Sequence, residues 1–140
     1  MNYTRHTVTL LLLLFSAAVS FASNPTAPDA VRDRFLQAFN AGDANGVIAL
    51  YSDDAVVASE AMNFAGPQQI RQWIQVSLDQ GSKLESIEIE RERTSGDLAY
   101  ATGRTRRRVG NEIHLGQFLM VLERRGDEWK IVRHFSINAK

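Results

Sequence analysis

No cysteine occurs anywhere in this 140-residue chain. That excludes disulfides, a catalytic thiol, thiolate metal sites and lipid attachment through an N-terminal cysteine. Histidine is scarce too: three in all, of which His114 and His134 follow the N-terminal segment. Neither sign of charge is in excess, with 16 Lys and Arg against 16 Asp and Glu. Non-specific nucleic-acid binding draws on net positive charge, so this balance argues against it. Gly-rich phosphate loops, nucleophile elbows and metalloprotease motifs are all missing. What remains is an ordinary globular composition, 44% hydrophobic and 23% charged. The length suits one domain with one core.

Long apolar runs are also lacking, with one exception near the start. Met1 to His6 is polar and carries Arg5, and the run from Val8 to Val19 follows. Ser20-Phe21-Ala22 then places small residues at the −3 and −1 positions of a cleavage site. A membrane span needs roughly 20 apolar residues, and this run is shorter. The expectation is a signal peptide over 1–22 with cleavage after Ala22, and a domain over 23–140. The destination is the periplasm or the extracellular space, with no membrane association after cleavage. Losing Arg5 leaves the mature chain with one net negative charge.

After a short linker, Thr26 and Asp29 are spaced as a variant capping box, with Pro28 in the first turn. Val31, Phe35, Ala38 and Phe39 recur at helical spacing, and Gly42 sits where a C-terminal glycine cap belongs. The first helix is therefore expected from Pro28 to Asn40. Asp43 caps a second, shorter helix through Val47, Leu50 and Tyr51, which Asp53-Asp54 ends. Ala55 to Ala58 and Met62 to Phe64 read as short strands. Gly66-Pro67 opens a third helix. Ile70, Trp73, Ile74, Ser77 and Leu78 share one face of it, and Gly81 closes it. From Lys83 onward the period changes to two. Four strands are expected over 86–94, 98–109, 113–124 and 128–138, with turns at Ser95 to Asp97, Gly110-Asn111 and Gly126-Asp127. Short connections make this an antiparallel meander, and helices followed by strands make the fold α+β.

Three stretches resemble the SnoaL-like branch of the NTF2-like superfamily. They are Phe39 to Asp43 running into Leu50 to Val57, then Gly66 to Ile74, then Phe118 to Val132. The resemblance covers nearly the whole of 23–140. It implies a cone, a curved antiparallel sheet wrapped around N-terminal helices, with a pocket between them. It commonly implies a homodimer through the outer sheet face. Proteins of this fold include isomerases, dehydratases, cyclases, epoxide hydrolases and non-enzymatic binding domains, so fold analogy leaves the chemistry open.

Turn lengths argue the strand register, because a one-residue slip reverses every side chain. A two-residue turn at Gly110-Asn111 sets Val109 against Glu112, Thr105 against Gly116 and Arg107 against His114. A tight turn at Gly126-Asp127 sets Arg125 against Glu128. The pairings expected beyond it are Phe118 with His134, Gly116 with Ser136 and His114 with Asn138. One face then carries Ala99, Ala101, Gly103, Thr105, Arg107, His114, Phe118, Met120, Leu122, Val132, His134 and Ser136. Its small residues let the first helix approach, so it is assigned to the concave side. The other face carries Tyr100, Leu115, Leu119, Val121, Trp129, Ile131 and Phe135. It is largely apolar, which points to a protein partner, most simply a second copy.

His134 is the leading catalytic candidate, since an imidazole titrates near neutral pH and serves as general acid or base. Asp54 is the second, as a carboxylate at the pocket mouth whose pKa burial would raise. Tyr51 and Trp73 are expected to line the pocket from the helices, with Phe35 and Phe39 as core. Arg107 on the inner face could hold an anionic group, and His114, Phe118 and Ser136 complete the ligand-binding set. His114 lies four residues along its strand from Phe118, roughly 13 Å, too far to share one metal with His134. No metal and no cofactor are expected. The run Arg104-Thr105-Arg106-Arg107-Arg108 looks like a nucleic-acid patch. A three-residue turn at Ser95 to Asp97 sets Glu88 against Arg104 and Glu90 against Thr102, so the acidic strand neutralises the run.

Three readings of function stay open. The domain binds a small, partly apolar molecule, with Arg107 or His134 anchoring a polar group. Or it is a cofactor-free acid–base isomerase, dehydratase or hydrolase using His134 and Asp54. Or it is a dimeric interaction domain without ligand. The terminal hairpin strands lack the Asp that several enzymes of the fold use there, which favours the first. A carboxylate within hydrogen-bonding reach of His134 separates the first two.

Overall fold

The structure, a computed structural model, describes residues 28–60 and 62–139. The signal peptide expected over 1–22 and the cap expected at Thr26 lie outside the described residues. The elements are α1 (Pro28–Asn40), α2 (Ala44–Ile48), β1 (Tyr51–Ser59), β2 (Met62–Ala65), α3 (Gly66–Asp79), β3 (Lys83–Ser95), β4 (Leu98–Val109), β5 (Glu112–Arg125) and β6 (Glu128–Asn138). They form an α+β fold: helices set against one curved, unclosed six-stranded sheet in the order β2-β1-β6-β5-β4-β3. Strands β3 to β6 are the antiparallel meander. β1 joins it in parallel on β6, and β2 folds back on β1. Among the described residues no helix is long and apolar enough to cross a membrane.

Helix α1 buries Val31, Phe35 and Phe39, the stripe that four-residue spacing puts on one face. Helix α3 buries Ile70 and Ile74 in the same way, with Pro67 in its first turn, where an absent N–H costs nothing. These faces meet Ala99, Ala101, Phe118, Met120 and Leu122 from the inner side of β4 and β5. At Gly103 on that side, a Cβ would run into the Glu88 carbonyl oxygen and stand 3.0 Å from Phe118 Cε1. Only a hydrogen fits there. The hairpin turns at Gly110-Asn111 and Gly126-Asp127 have positive φ at the glycine alone, 57° and 65°, as a type II′ turn requires.

The hairpins have the expected starting pairs, Val109 with Glu112 and Arg125 with Glu128. Thr105 pairs with Gly116 and Arg107 with His114, also as expected. Four expectations need correction. First, the second helix stops at Ile48, and Tyr51 to Asp54 belong to strand β1. Tyr51 pairs with Ile131 of β6, and that pairing takes over a segment whose apolar spacing also fits a helix. Second, the turn between β3 and β4 has two residues, with Ser95 opposite Leu98. A bulge at Glu90 then restores Glu88 against Arg104, while Arg91 and not Glu90 faces Thr102.

Third, Phe118 does not face His134. Counting straight back from the Gly126-Asp127 turn brings Phe118 to Phe135, and an extra residue at Val132 carries it on to Ser136. His134 therefore pairs with Met120, and Asn138 with Gly116 rather than with His114. Fourth, the same bulge reverses the side-chain alternation of β6. Ile131 pairs with inward-facing Leu122, and both Ile131 and Trp129 are buried instead of lying on the outer face. Beyond the bulge, His134 turns inward and Phe135 outward, at 4% and 47% exposure.

The basic run on β4 is neutralised across the strand. Arg104 pairs with Glu90 at 2.6 Å, Arg106 with Glu85 at 2.6 Å, and Arg108 with the same Glu85. Glu85 and Glu90 are the two residues of β3 that its bulges leave without a backbone partner.

Candidate functional site

Between α1, α3 and the inner face of β4, β5 and β6 lies a cavity of about 320 Å³. Its apolar wall is made by Phe35 and Phe39 from α1, Trp73 from α3, and Phe118 and Met120 from β5. Its polar lining is Ser77, Thr105, Arg107, His114, His134 and Ser136, with Ser59, Glu60 and Asn138 at the end near β2. Met62, Leu115 and Ile137 stand at that same end and are about half or more exposed, which marks it as the mouth. The size falls at the small end of ligand pockets, roughly 300–1,000 Å³.

The buried end is built on His134. Its imidazole is packed edge-on by Phe35 and Trp73, with ring centroids 6.1 and 5.6 Å away. Its Nδ1 lies 2.7 Å from the Tyr51 hydroxyl oxygen, in a hydrogen bond across 83 residues of sequence. Both groups are buried, and burial pushes their pKa values apart from the usual range in opposite directions. The His134 imidazole is held down at about 4 from 6.5, and the Tyr51 phenol is raised. Both are therefore neutral at pH 7.

Neutrality fixes the tautomer through the network. A buried phenol must donate its proton, and His134 Nδ1 is the one acceptor Tyr51 has among the described residues. Nδ1 accepts, so Nε2 carries the hydrogen. Nε2 has no partner among the described residues, yet no buried side-chain nitrogen or oxygen is left sealed without one. The Nε2–H is therefore open to the cavity, a neutral donor aimed into an apolar space. Taking a proton there as a base would require the mobile hydrogen to pass back to a phenol that burial already holds protonated. No carboxylate lies within 4 Å of His134 among the described residues.

The sequence-derived candidates divide cleanly in space. His134, Trp73, Arg107, His114, Phe118 and Ser136 all line the one cavity. Tyr51 is not on its wall but stands directly behind His134, reached from strand β1 and not from a helix. Asp54 is placed elsewhere. Its side chain is exposed in a shallow depression with Ser52, Arg125 and Lys130, and it pairs with Arg125 at 3.3 Å. The Ser52 hydroxyl first, then a backbone hydrogen bond and Arg125, outweigh the upward push of desolvation and hold its carboxyl below the ordinary range, against the expected rise. Ser77, Ser59, Glu60 and Asn138 line the cavity without having been singled out as site residues. Ser77 was legible only as one position of the third helix. Glu60 lies at the end of a short strand, where no periodicity says which way it points. Among the described residues no cluster of three His, Asp or Glu side chains could hold a metal ion.

Residues 33–134 match the family described as SnoaL-like domain. Among solved structures, the chain is similar to a ketosteroid isomerase-like protein from Erwinia carotovora atroseptica SCRI1043. The identity is 21%, over 80% of this chain and 93% of that one, with a TM-score of 0.69. A putative calcium/calmodulin-dependent protein kinase type II association domain from Thiobacillus denitrificans ATCC 25259 aligns with a TM-score of 0.73 at 17% identity, over 82% and 97%. An NTF-2 like protein of unknown function from Shewanella oneidensis MR-1 aligns with a TM-score of 0.71 at 17% identity, over 78% and 94%. At these identities the likeness is one of fold. No curated protein matches the chain.

Proposed function

The chain belongs to the family of SnoaL-like domains, and from that membership and its cavity we propose that it binds a small, partly apolar molecule without transforming it. The observation that carries this reading is the His134 Nε2–H, a neutral donor presented to an aromatic cavity with no carboxylate beside it. Such a donor receives a carbonyl, ether or hydroxyl oxygen. The apolar wall holds the rest of the ligand by burial, about 25 cal/mol for each Å² removed from water. An acid–base enzyme needs a group oriented to take a proton, and the Tyr51–His134 pair is arranged to give one hydrogen bond instead. The reading also takes the protein to be exported, with residues 1–22 removed, and to pair with a second copy. Leu119, Val121 and Phe135 support the pairing, because they leave an apolar stripe on the outer sheet face.

The test is a thermal-shift screen of the purified protein with small acids, cyclic ketones, sterols and aromatic lactones. A ligand at 100 times its dissociation constant adds about 2.7 kcal/mol of stability. The expected result is a shift for an oxygen-bearing apolar compound, lost in His134→Ala, with the compound recovered unchanged. Recovery of a converted product would overturn the non-catalytic reading. No shift across all classes would favour an interaction domain without ligand.

A further inference from the structure

We propose that the ligand is an anion, an apolar carboxylic acid whose carboxylate is held by Arg107 while its apolar body runs inward toward His134. This rests on the pocket reading above and adds the charge of the ligand to it.

The argument begins with the basic run of β4. Arg104, Arg106 and Arg108 alternate onto the outer face, and each is matched by a glutamate of β3. Arg107 has the opposite parity and points into the cavity. It is half-buried, and no carboxylate comes within 4 Å of it among the described residues. Its one side-chain partner there is Ser82, whose buried hydroxyl accepts from Nη1 at 3.1 Å. A guanidinium has five N–H donors in a rigid fork, so most of this one is uncommitted. The Ser82 bond anchors one arm and leaves the fork aimed.

The other charged side chains at the cavity do not supply the missing partner. Glu60 lies at the same end of the strands, on the other side of β5 and β6, where its Oε1 accepts the Asn138 backbone N–H at 3.0 Å; it makes no ion pair with Arg107. His114 sits beside Arg107 on the adjoining strand and is neutral or cationic, never anionic. Its Nε2 faces Glu112 at 3.6 Å, and Glu112 is not part of the wall. Arg107 is thus a positive charge on the cavity wall without an ion-pair partner among the described residues. A half-buried cation loses hydration without recovering it from a counterion, and a carboxylate would restore that balance with two parallel hydrogen bonds.

Register fixes how the two ends relate. Arg107 pairs with His114, and His134 pairs with Met120, six residues further along β5. That is at most roughly 20 Å of strand, shortened by side chains converging from a concave sheet. A ligand bridging both ends is an elongated acid with a distal oxygen for the Nε2–H.

The experiment compares matched pairs in binding calorimetry and in the fluorescence of Trp73, the one tryptophan on the cavity wall. The lead pair is 6-oxo-6-phenylhexanoate and its neutral primary amide, joined by shorter and longer acid–amide pairs. The expected result is that acids bind about tenfold or more tightly than their amides. The gap closes in Arg107→Gln and partly returns in Arg107→Lys. Equal binding of acid and amide overturns the anion proposal and leaves the pocket reading standing. Binding of no pair overturns both. The wild-type comparison needs no variant, so misfolding of Arg107→Gln cannot hide the answer.

Discussion

Acidification should destabilise this protein through one buried side chain, His134. Burial lowers its pKa in the fold to about 4, against 6.5 for an ordinary histidine. The unfolded chain therefore binds a proton across a pH range where the folded one does not. The stability linked to this group is fully present above pH 6.5 and is lost as the pH falls from 6.5 toward 4. The loss relative to neutral pH works out at about 2 kcal/mol at pH 5 and about 3 kcal/mol at pH 4. Asp54, Glu85 and Glu128 also sit below their ordinary values, but those values are 3.8 and 4.5, so their effect comes at lower pH. The assay is urea unfolding at pH 7.5 and pH 5 for the wild type and for His134→Gln, whose amide oxygen still accepts from Tyr51. The variant should lose about 2 kcal/mol less than the wild type between the two pH values. Equal losses would show that the imidazole takes up its proton within the fold, and the argument for a neutral Nε2–H donor would fail. Tyr51→Phe provides the companion measurement. It strips a buried nitrogen of its partner and should cost about 1–3 kcal/mol at pH 7.5.

Other consequences are open to direct measurement. Gly103→Ala forces a Cβ against the Glu88 carbonyl and the Phe118 ring, and should cost about 1–3 kcal/mol in thermal unfolding. A neutral outcome would mean that β3 shifts freely at its Glu90 bulge. Phe135→Lys places a charge on the exposed apolar stripe beside Leu119. Sedimentation should then give the mass of one chain for the variant and of two for the wild type, and an unchanged dimer would move the interface elsewhere. If residues 1–22 direct export, mass spectrometry of the protein recovered outside the cytoplasm should find Ser23 at the N-terminus, and retention of Met1 would refute the cleavage site.

Much of the layout was legible because it rests on local physics. The stripe of Val31, Phe35 and Phe39 made α1 readable, and Pro67 with Ile70 and Ile74 did the same for α3. Glycine-led turns made the meander readable and set the pairs nearest each turn, Arg107 with His114 among them. That was enough to place Arg107 on the inner face. The segment from Leu50 to Asp54 misled, because short apolar spacing does not separate a helix end from a strand start. Its partner strand lies about 80 residues away.

By itself, then, the sequence determined an α+β domain, its element order, the strand parity near each turn and the neutralising match between the β3 glutamates and the β4 arginines. Tertiary structure alone decided the rest. The bulge at Val132 sets His134 against Met120 and turns Trp129 and Ile131 into the core, while His134 keeps the inward position that the sequence parity gave it. The parallel pairing of β1 with β6 brings Tyr51 behind His134 and leaves Asp54 outside in solvent. Both depend on contacts between segments far apart in the chain. Local propensity carries no information about those contacts until the sheet has curled and the two strands lie side by side.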